Sequence, residues 1–286
     1  MRDHVASLRP MQWLKNMLVF AAPLAAGSPI EDLSWLRLVL AALAFVAMSS
    51  SVYLLNDLLD LEVDRRHPTK MHRPLASGRV TVWTTRLMAC GMLIVAVVLA
   101  AWSSTGTLLT LLAYAVINVT YSLGGKNIPW LEIVAVASGF VLRPLAGSYA
   151  TDISPSMAFL LAFGAGAIMV ATGKRLAELT HNADRVRPVL HQYSAQSLRG
   201  AMYLAAGVLA VTYLGWLIAG ISTDSRATTL ANAGSLVCVL TAVSRYLRVS
   251  VSALAESPER LVLQDRPLRL VAILWFVFLL VAALAG

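Results

Sequence analysis

The stretch Asn56-Asp57-Leu58-Leu59-Asp60-Leu61-Glu62-Val63-Asp64 closes an apolar run of membrane-spanning length, and no other segment restricts the chain as much. Carboxylates in or beside a membrane span are costly, so they need a partner or a task. At about 100° per residue, Asn56, Asp60 and Asp64 fall near 0°, 40° and 80° around a helix, and Asp57 near 100°. The four side chains then share one helical face, where the acids repel one another unless a cation joins them. Hard oxygen ligands in this pattern suit Mg2+, which takes one or two carboxylates together with substrate phosphates. Asn56, Asp57, Asp60 and Asp64 are therefore the candidate metal ligands, and the three aspartates the candidate catalytic residues. Arg65, Arg66, His67, Lys70, His72 and Arg73 follow at once, and Lys70 and Arg73 suit phosphate oxygens. The plainer alternative is a helix end whose acids pair with the basic loop behind it.

With 58% hydrophobic and 13% charged residues among 286, the chain does not have the composition of a soluble domain. Its apolar runs predict an all-α, polytopic membrane protein of nine spans, near 14–27, 36–58, 82–102, 107–123, 129–150, 156–173, 200–221, 229–247 and 268–285. The start is polar up to Pro10 and no small-residue cleavage site follows a short apolar core, so the first span is expected to stay as an anchor. A single domain, 1–286, is expected, with loops 59–81, 124–128 and 174–199 capping a cavity on one side.

The net charge of +8 reports topology rather than nucleic-acid binding. Only Arg37 and Arg226 flank the short connections and only Arg143 lies inside a span; the remaining Lys and Arg gather on the other side. By the positive-inside rule that side is cytoplasmic, with the N-terminus inside and, after nine spans, the C-terminus outside. Cys90 and Cys238 sit in apolar runs without disulfide or metal spacing and read as core packing.

Further candidates come from the polar residues at span ends. Trp13 suits an interfacial anchor, while Gln12, Lys15 and Asn16 suit a polar cavity mouth. Tyr121 and Lys126 bracket the Gly124-Gly125 turn that ends the fourth span. Arg143 needs an anion or a water-filled cavity, the anion being either a span-embedded acid or a substrate phosphate, and Pro144 after it can kink the helix. Gly173-Lys174-Arg175 ends the sixth expected span without the spacing of a P-loop, and Glu178 lies one helical turn beyond Lys174. His181, Arg185, Arg187, His191 and Tyr193 belong to the long loop behind it, and the two histidines read as solvated.

The Asn56-Asp57-x-x-Asp60-x-x-x-Asp64 motif resembles the first acidic motif of the UbiA-type membrane prenyltransferase superfamily, along essentially the whole chain. The resemblance implies a helical bundle with a cytoplasmic-side cavity, in which Mg2+ binds a diphosphate leaving group. One departure stands out: where superfamily members carry a second aspartate-rich motif, this chain has Gly173-Lys174-Arg175-x-x-Glu178, which disfavours a second metal site of equal strength. Arg9-Pro10-x-Gln12-Trp13-x-Lys15-Asn16, Tyr53-x-x-Asn56-Asp57, His67-Pro68-Thr69-Lys70-x-x-Arg73-Pro74 and Gly173-Lys174-Arg175-x-x-Glu178 are similar to a branch that transfers phosphoribosyl groups. That similarity implies transfer of 5-phosphoribose from phosphoribosyl diphosphate (PRPP) to a polyprenyl phosphate such as decaprenyl phosphate, feeding cell-wall arabinan. Lys15, Lys70, Arg73, Lys126, Arg143, Lys174 and Arg175 are then the expected phosphate ligands, with Gln12, Asn16, Tyr121 and Glu178 as other polar residues of the cavity. A homo-oligomer in the plasma membrane is compatible with the same branch. The rival readings are a quinone or aromatic prenyltransferase with a prenyl diphosphate donor, and a transporter or lipid flippase.

Overall fold

The structure, a computed structural model, describes residues 2–26, 32–182, 188–219, 226–252, 255 and 258–285. Short helices α1 (Arg2–Ser7) and α2 (Pro10–Trp13) lead into a 3-10 segment, Leu14–Phe20, and α3 (Ala21–Ala25). There follow α4 (Asp32–Leu59), α5 (Leu61–Arg66), α6 (Val82–Ser103), α7 (Thr105–Leu123), α8 (Leu131–Thr151), α9 (Met157–Asn182), α10 (Ala195–Ala219), α11 (Arg226–Val249), α12 (Pro258–Gln264) and α13 (Arg266–Ala285). Among the described residues, seven helices are long and apolar enough to cross a membrane, and they coincide with seven of the nine expected spans. The ninth expected span falls in α13, a helix of 20 residues.

The first expected span differs. Over 14–25 the chain forms the 3-10 segment and α3 rather than one α-helix. Pro23 has no N–H to give the Val19 carbonyl, four residues earlier. That carbonyl lies instead against Gly147 of α8, where a Cβ would stand only 1.8 Å from the oxygen. Glycine is what allows this approach of two backbones.

The helices gather into two compact units. Unit 1 comprises Met1–Ala22, Ile30–Gly125 and Leu142–Ser154; unit 2 comprises Pro23–Pro29, Lys126–Val141 and Pro155–Gly286. In unit 1, α4 packs mainly on α6, and both pack on α7. Ala41, Ala44, Ala96 and Ala100 are fully buried between them, and these small side chains let the helices approach closely around Phe45, Met48, Leu111 and Tyr114. In unit 2, α9 packs on α10 and α11 on α13, around Met169, Leu176, Leu190, Leu198, Met202 and Tyr246.

The outward faces are apolar, as a lipid-facing surface requires. Trp83 and Trp102, near the two ends of α6, are both exposed. At about 1.5 Å per residue they stand roughly 28 Å apart, close to the thickness of a hydrocarbon core, and so suit the two interfacial belts. Cys90 also lies exposed on α6, not in the core as expected; a thiol is apolar enough to face lipid. Cys238 is buried, as expected.

The Gly147–Val19 contact predicts a sharp asymmetry between glycines. Gly147→Ala should cost about 1–3 kcal/mol of stability, because the obstructing atom is backbone. Gly91→Ala, with nothing within 4 Å of its Cβ position, should leave thermal unfolding in detergent unchanged or slightly raised. Equal melting temperatures for the two variants would contradict this account.

Candidate active site

The acidic motif occupies the junction of α4 and α5. Asp60 breaks the helix at φ −96°, ψ 9°, yet the backbone bonds from Asp60 N–H to Asn56 O and from Asp64 N–H to Asp60 O keep the winding. The expected face therefore survives across two helical segments. Asp57 and Asp64, two turns apart, are buried on it, while Asp60 is half-buried at the break.

One guanidinium joins the two buried carboxylates. Arg73 Nη1 donates to Asp57 Oδ1 at 2.9 Å and to Asp64 Oδ2 at 2.6 Å. Lys70 Nζ stands 3.7 Å from Asp64 Oδ1. Arg9 makes a further ion pair with Asp57 and lies over the Tyr53 ring, 4.8 Å from its centroid. Arg9 holds this place from a left-handed backbone position, φ 55°, a conformation that costs a residue with a Cβ and persists only where contacts demand it. Arg79 pairs with Asp3 at 2.9 Å and ties the N-terminal helix to the same loop. The loop itself is organised by His67, whose Nδ1 accepts from the backbone N–H groups of Thr69 and Lys70. Burial, then the neighbouring Lys70, hold its pKa below the usual 6.5, so the imidazole stays a neutral acceptor.

Two buried oxygens, Asn56 Oδ1 and Asp64 Oδ1, accept no hydrogen bond among the described residues. Hard, desolvated oxygens with spare lone pairs are what a divalent cation takes, so the residues present fit one. Among the described residues no group of three or more His, Cys, Asp or Glu is drawn together at metal-binding range; the acids here are spread between an amide oxygen, two carboxylates and their arginines.

Deeper in unit 1, Arg143 is buried on α8, which runs unbroken through Pro144. Its Nε donates to Asn16 Oδ1 at 2.9 Å and its Nη2 to the Tyr114 hydroxyl at 3.3 Å. The guanidinium also lies 4.9 Å from the Tyr114 ring centroid and 5.8 Å from that of Phe45. Asn16 in turn donates to Ser49 Oγ. The arginine is thus lodged among an amide and aromatic faces, an environment that steadies a cation. Gln12, Lys15 and Tyr121 are half-buried at the ends of their segments, Gln12 and Lys15 close to Asn16 in sequence.

In unit 2, α9 does not stop at 173 as expected but continues to Asn182. Leu176 and Ala177 are fully buried on it, and Lys, Arg, Leu, Ala and Glu are good helix formers. The Gly173-Lys174-Arg175-x-x-Glu178 motif is therefore helical, not a loop. Gly173 is present for packing: a Cβ there would stand 2.4 Å from the Tyr246 hydroxyl, which donates to the Val170 carbonyl. Arg175 is buried; its Nε meets Glu132 Oε1 at 2.9 Å and its Nη1 pairs with Glu178. Lys174, more than a third exposed, stands 3.9 Å from Glu178. Lys126 is half-buried in a 3-10 turn, Gly125–Asn127.

Sequence reasoning did not name Arg9, Glu132 or Tyr193 among the candidate site residues. Glu132 is fully buried in the first turn of α8, and an acid opening an apolar span was the signal available. Tyr193 donates from its hydroxyl to Glu132 Oε1 at 3.2 Å and accepts from the Trp130 N–H at 2.9 Å, while its ring meets Trp130 edge to face at 5.4 Å. Burial first of all, and the Glu132 carboxylate, push its phenol up to about 12 against the lowering effect of the Trp130 N–H, so it remains a proton donor. His181 and His191 are exposed, as expected, and Arg185 and Arg187 lie outside the described residues. Tyr193→Phe keeps the ring packing but takes one donor from Glu132 and the acceptor from the Trp130 N–H, and should cost about 1 kcal/mol, read as a lower melting temperature in detergent.

The family model described as the UbiA prenyltransferase family matches residues 17–258. The chain is 36% identical over 285 residues to the decaprenyl-phosphate phosphoribosyltransferase of Mycolicibacterium smegmatis, covering 95% of this chain and 89% of that protein. It is also 36% identical over 284 residues to the protein of the same name from Mycobacterium tuberculosis, covering 95% and 91%. In fold it is similar to a UbiA homolog from Archaeoglobus fulgidus bound to GPP and Mg2+, with a TM-score of 0.75, 18% identity and 99% of each chain covered. The protein belongs to the UbiA prenyltransferase family.

Proposed function

We propose that this membrane protein is a decaprenyl-phosphate phosphoribosyltransferase, moving 5-phosphoribose from PRPP to a polyprenyl phosphate with release of diphosphate. The observation that carries this reading is the end-to-end similarity to the two mycobacterial relatives named for that activity. The inventory of the site supports it. Three phosphorylated groups must be brought together, and the chain offers a concentration of fixed cations in and beside helical ends.

In this reading Asn56, Asp57, Asp60 and Asp64 hold Mg2+. When bound, the ion neutralises charge on the diphosphate leaving group. Lys70 and Arg73, both partly exposed beside Asp57 and Asp64, bind diphosphate oxygens. Lys126 and Lys174 serve phosphate at the rim, and Lys15 lines the approach with Gln12, Asn16 and Tyr121. Arg143, clasped by Asn16 and Tyr114, directs a fixed positive charge toward a substrate phosphate. An oxygen of the acceptor phosphate forms the new bond to ribose C1 as the bond from C1 to the diphosphate oxygen breaks. The acceptor is already an anion at neutral pH, so no proton must be removed, and the sequence accordingly supplies no catalytic histidine. The carboxylates stabilise positive charge developing on the ribosyl carbon.

We place the site on the cytoplasmic side of the plasma membrane, where the basic loops gather and where PRPP is soluble. Purified protein, labelled PRPP and decaprenyl phosphate should give a labelled lipid only when Mg2+ is present. Asp60→Asn should abolish that product while the protein stays folded. Absence of product from active, folded wild-type protein, with turnover of a prenyl diphosphate and an aromatic acceptor instead, would replace this reading by the rival one. For Arg143→Ala, binding of at least one of the two substrates should weaken about tenfold or more; unchanged binding of both would make Arg143 structural.

A further inference from the structure

Each compact unit contains a pair of buried carboxylates bridged by one arginine. In unit 1 the bridge is Asp57–Arg73–Asp64; in unit 2 it is Glu132–Arg175–Glu178. The carboxylates of the second pair come from different helices, α8 and α9. We propose that Arg175 permanently occupies the place of a second metal ion, so that the enzyme works with one divalent cation per chain and one built-in guanidinium. This rests on the reading that the motif from Asn56 to Asp64 holds a divalent cation.

The two bridges differ in the features that decide whether a cation can enter. The Arg73 side chain is 28% exposed and can move into water or onto a phosphate. Both bridges have oxygens that accept no hydrogen bond among the described residues, Asn56 Oδ1 and Asp64 Oδ1 in the first and Glu132 Oε2 in the second, so the difference lies in the access to them. The Arg175 side chain is 4% exposed, and the residues that follow it on α9, Leu176 and Ala177, are fully buried. Its Nε and Nη1 are committed to different carboxylates, a two-pronged geometry that a guanidinium fulfils and an ammonium does not. Tyr193 adds a hydroxyl donor to Glu132 and Lys174 adds a second positive charge beside Glu178. Two carboxylates face two cations, so the cluster is neutral as built. A divalent ion would have to expel a buried arginine that cannot lose its proton.

The consequence is chemical as well as structural. A guanidinium cannot be diluted, chelated or exchanged, so the electropositive character of unit 2 is independent of metal supply. Arg175 is then a positioning residue: it fixes Glu178, and through Glu178 the more exposed Lys174.

The test counts bound Mn2+ by electron paramagnetic resonance on the full chain in detergent. Wild type should bind one ion, and Glu132→Gln should still bind one. Arg175→Ala leaves two buried carboxylates without their bridge and should bind two. Asp57→Asn combined with Asp64→Asn should bind none. A wild-type count of two that falls to one in Glu132→Gln would overturn the proposal, and this comparison decides the matter even where Arg175→Ala fails to fold. No ion in wild type but one in Arg175→Ala would sink the metal assignment of the first motif and leave the role of Arg175 standing; none in either would sink both. Mg2+ dependence of turnover should be hyperbolic in wild type, whereas a sigmoidal dependence abolished by Glu132→Gln would also overturn it.

Discussion

A carboxylate buried within a membrane-embedded bundle must be neutralised by something, and in this protein the neutralising groups are arginines. Asp57, Asp64, Glu132 and Glu178 are all buried, and each is met by a guanidinium. In a low-dielectric interior an unpaired carboxylate would cost far more than any helix packing contact returns. The pairing accounts for otherwise separate features: the left-handed Arg9, the compact loop that delivers Arg73, and the continuation of α9 past its expected end. Each brings a cation, or the backbone carrying it, to an acid that could not otherwise stay buried.

These pairs also give the bundle its chemical character. An arginine that satisfies two acids holds them at a fixed spacing before substrate arrives, so the site is assembled in advance. Where the bridging arginine is partly exposed, as for Arg73, the function proposed above has the pair release its acids to another cation and the arginine turn toward phosphate. Where it is enclosed, as for Arg175, the pair is a structural constant. The difference between an exchangeable and a fixed counterion lies in exposure, 28% of the Arg73 side chain against 4% of that of Arg175, not in residue type.

Most of the architecture was legible because hydropathy is local. Seven apolar runs became helices, most within a few residues of their expected limits and α9 nine residues beyond its expected end, since a span must satisfy its backbone internally whatever its neighbours. The acidic face from Asn56 to Asp64 was legible for a similar reason, as helical winding persists through the break at Asp60. The first span was not legible, because the effect of Pro23 depends on Gly147, more than a hundred residues away. Nor could sequence assign partners. Arg143 could equally have met an acid; its bonds to Asn16 and Tyr114 belong to tertiary packing. Glu132 went unnoticed because its meaning depends on Arg175 and Tyr193, which the chain brings to it only on folding.

The contact of Val19 with Gly147 and the bond of Asn16 to Arg143 lie about one turn apart on both segments. Together they form a two-rung clasp that holds the opening residues in register with α8. The leading segment is therefore not a detachable tether to the bilayer but part of the packing around Arg143. Moving it outward would mean giving up both rungs, the backbone contact at Gly147 and the buried hydrogen bond to Arg143.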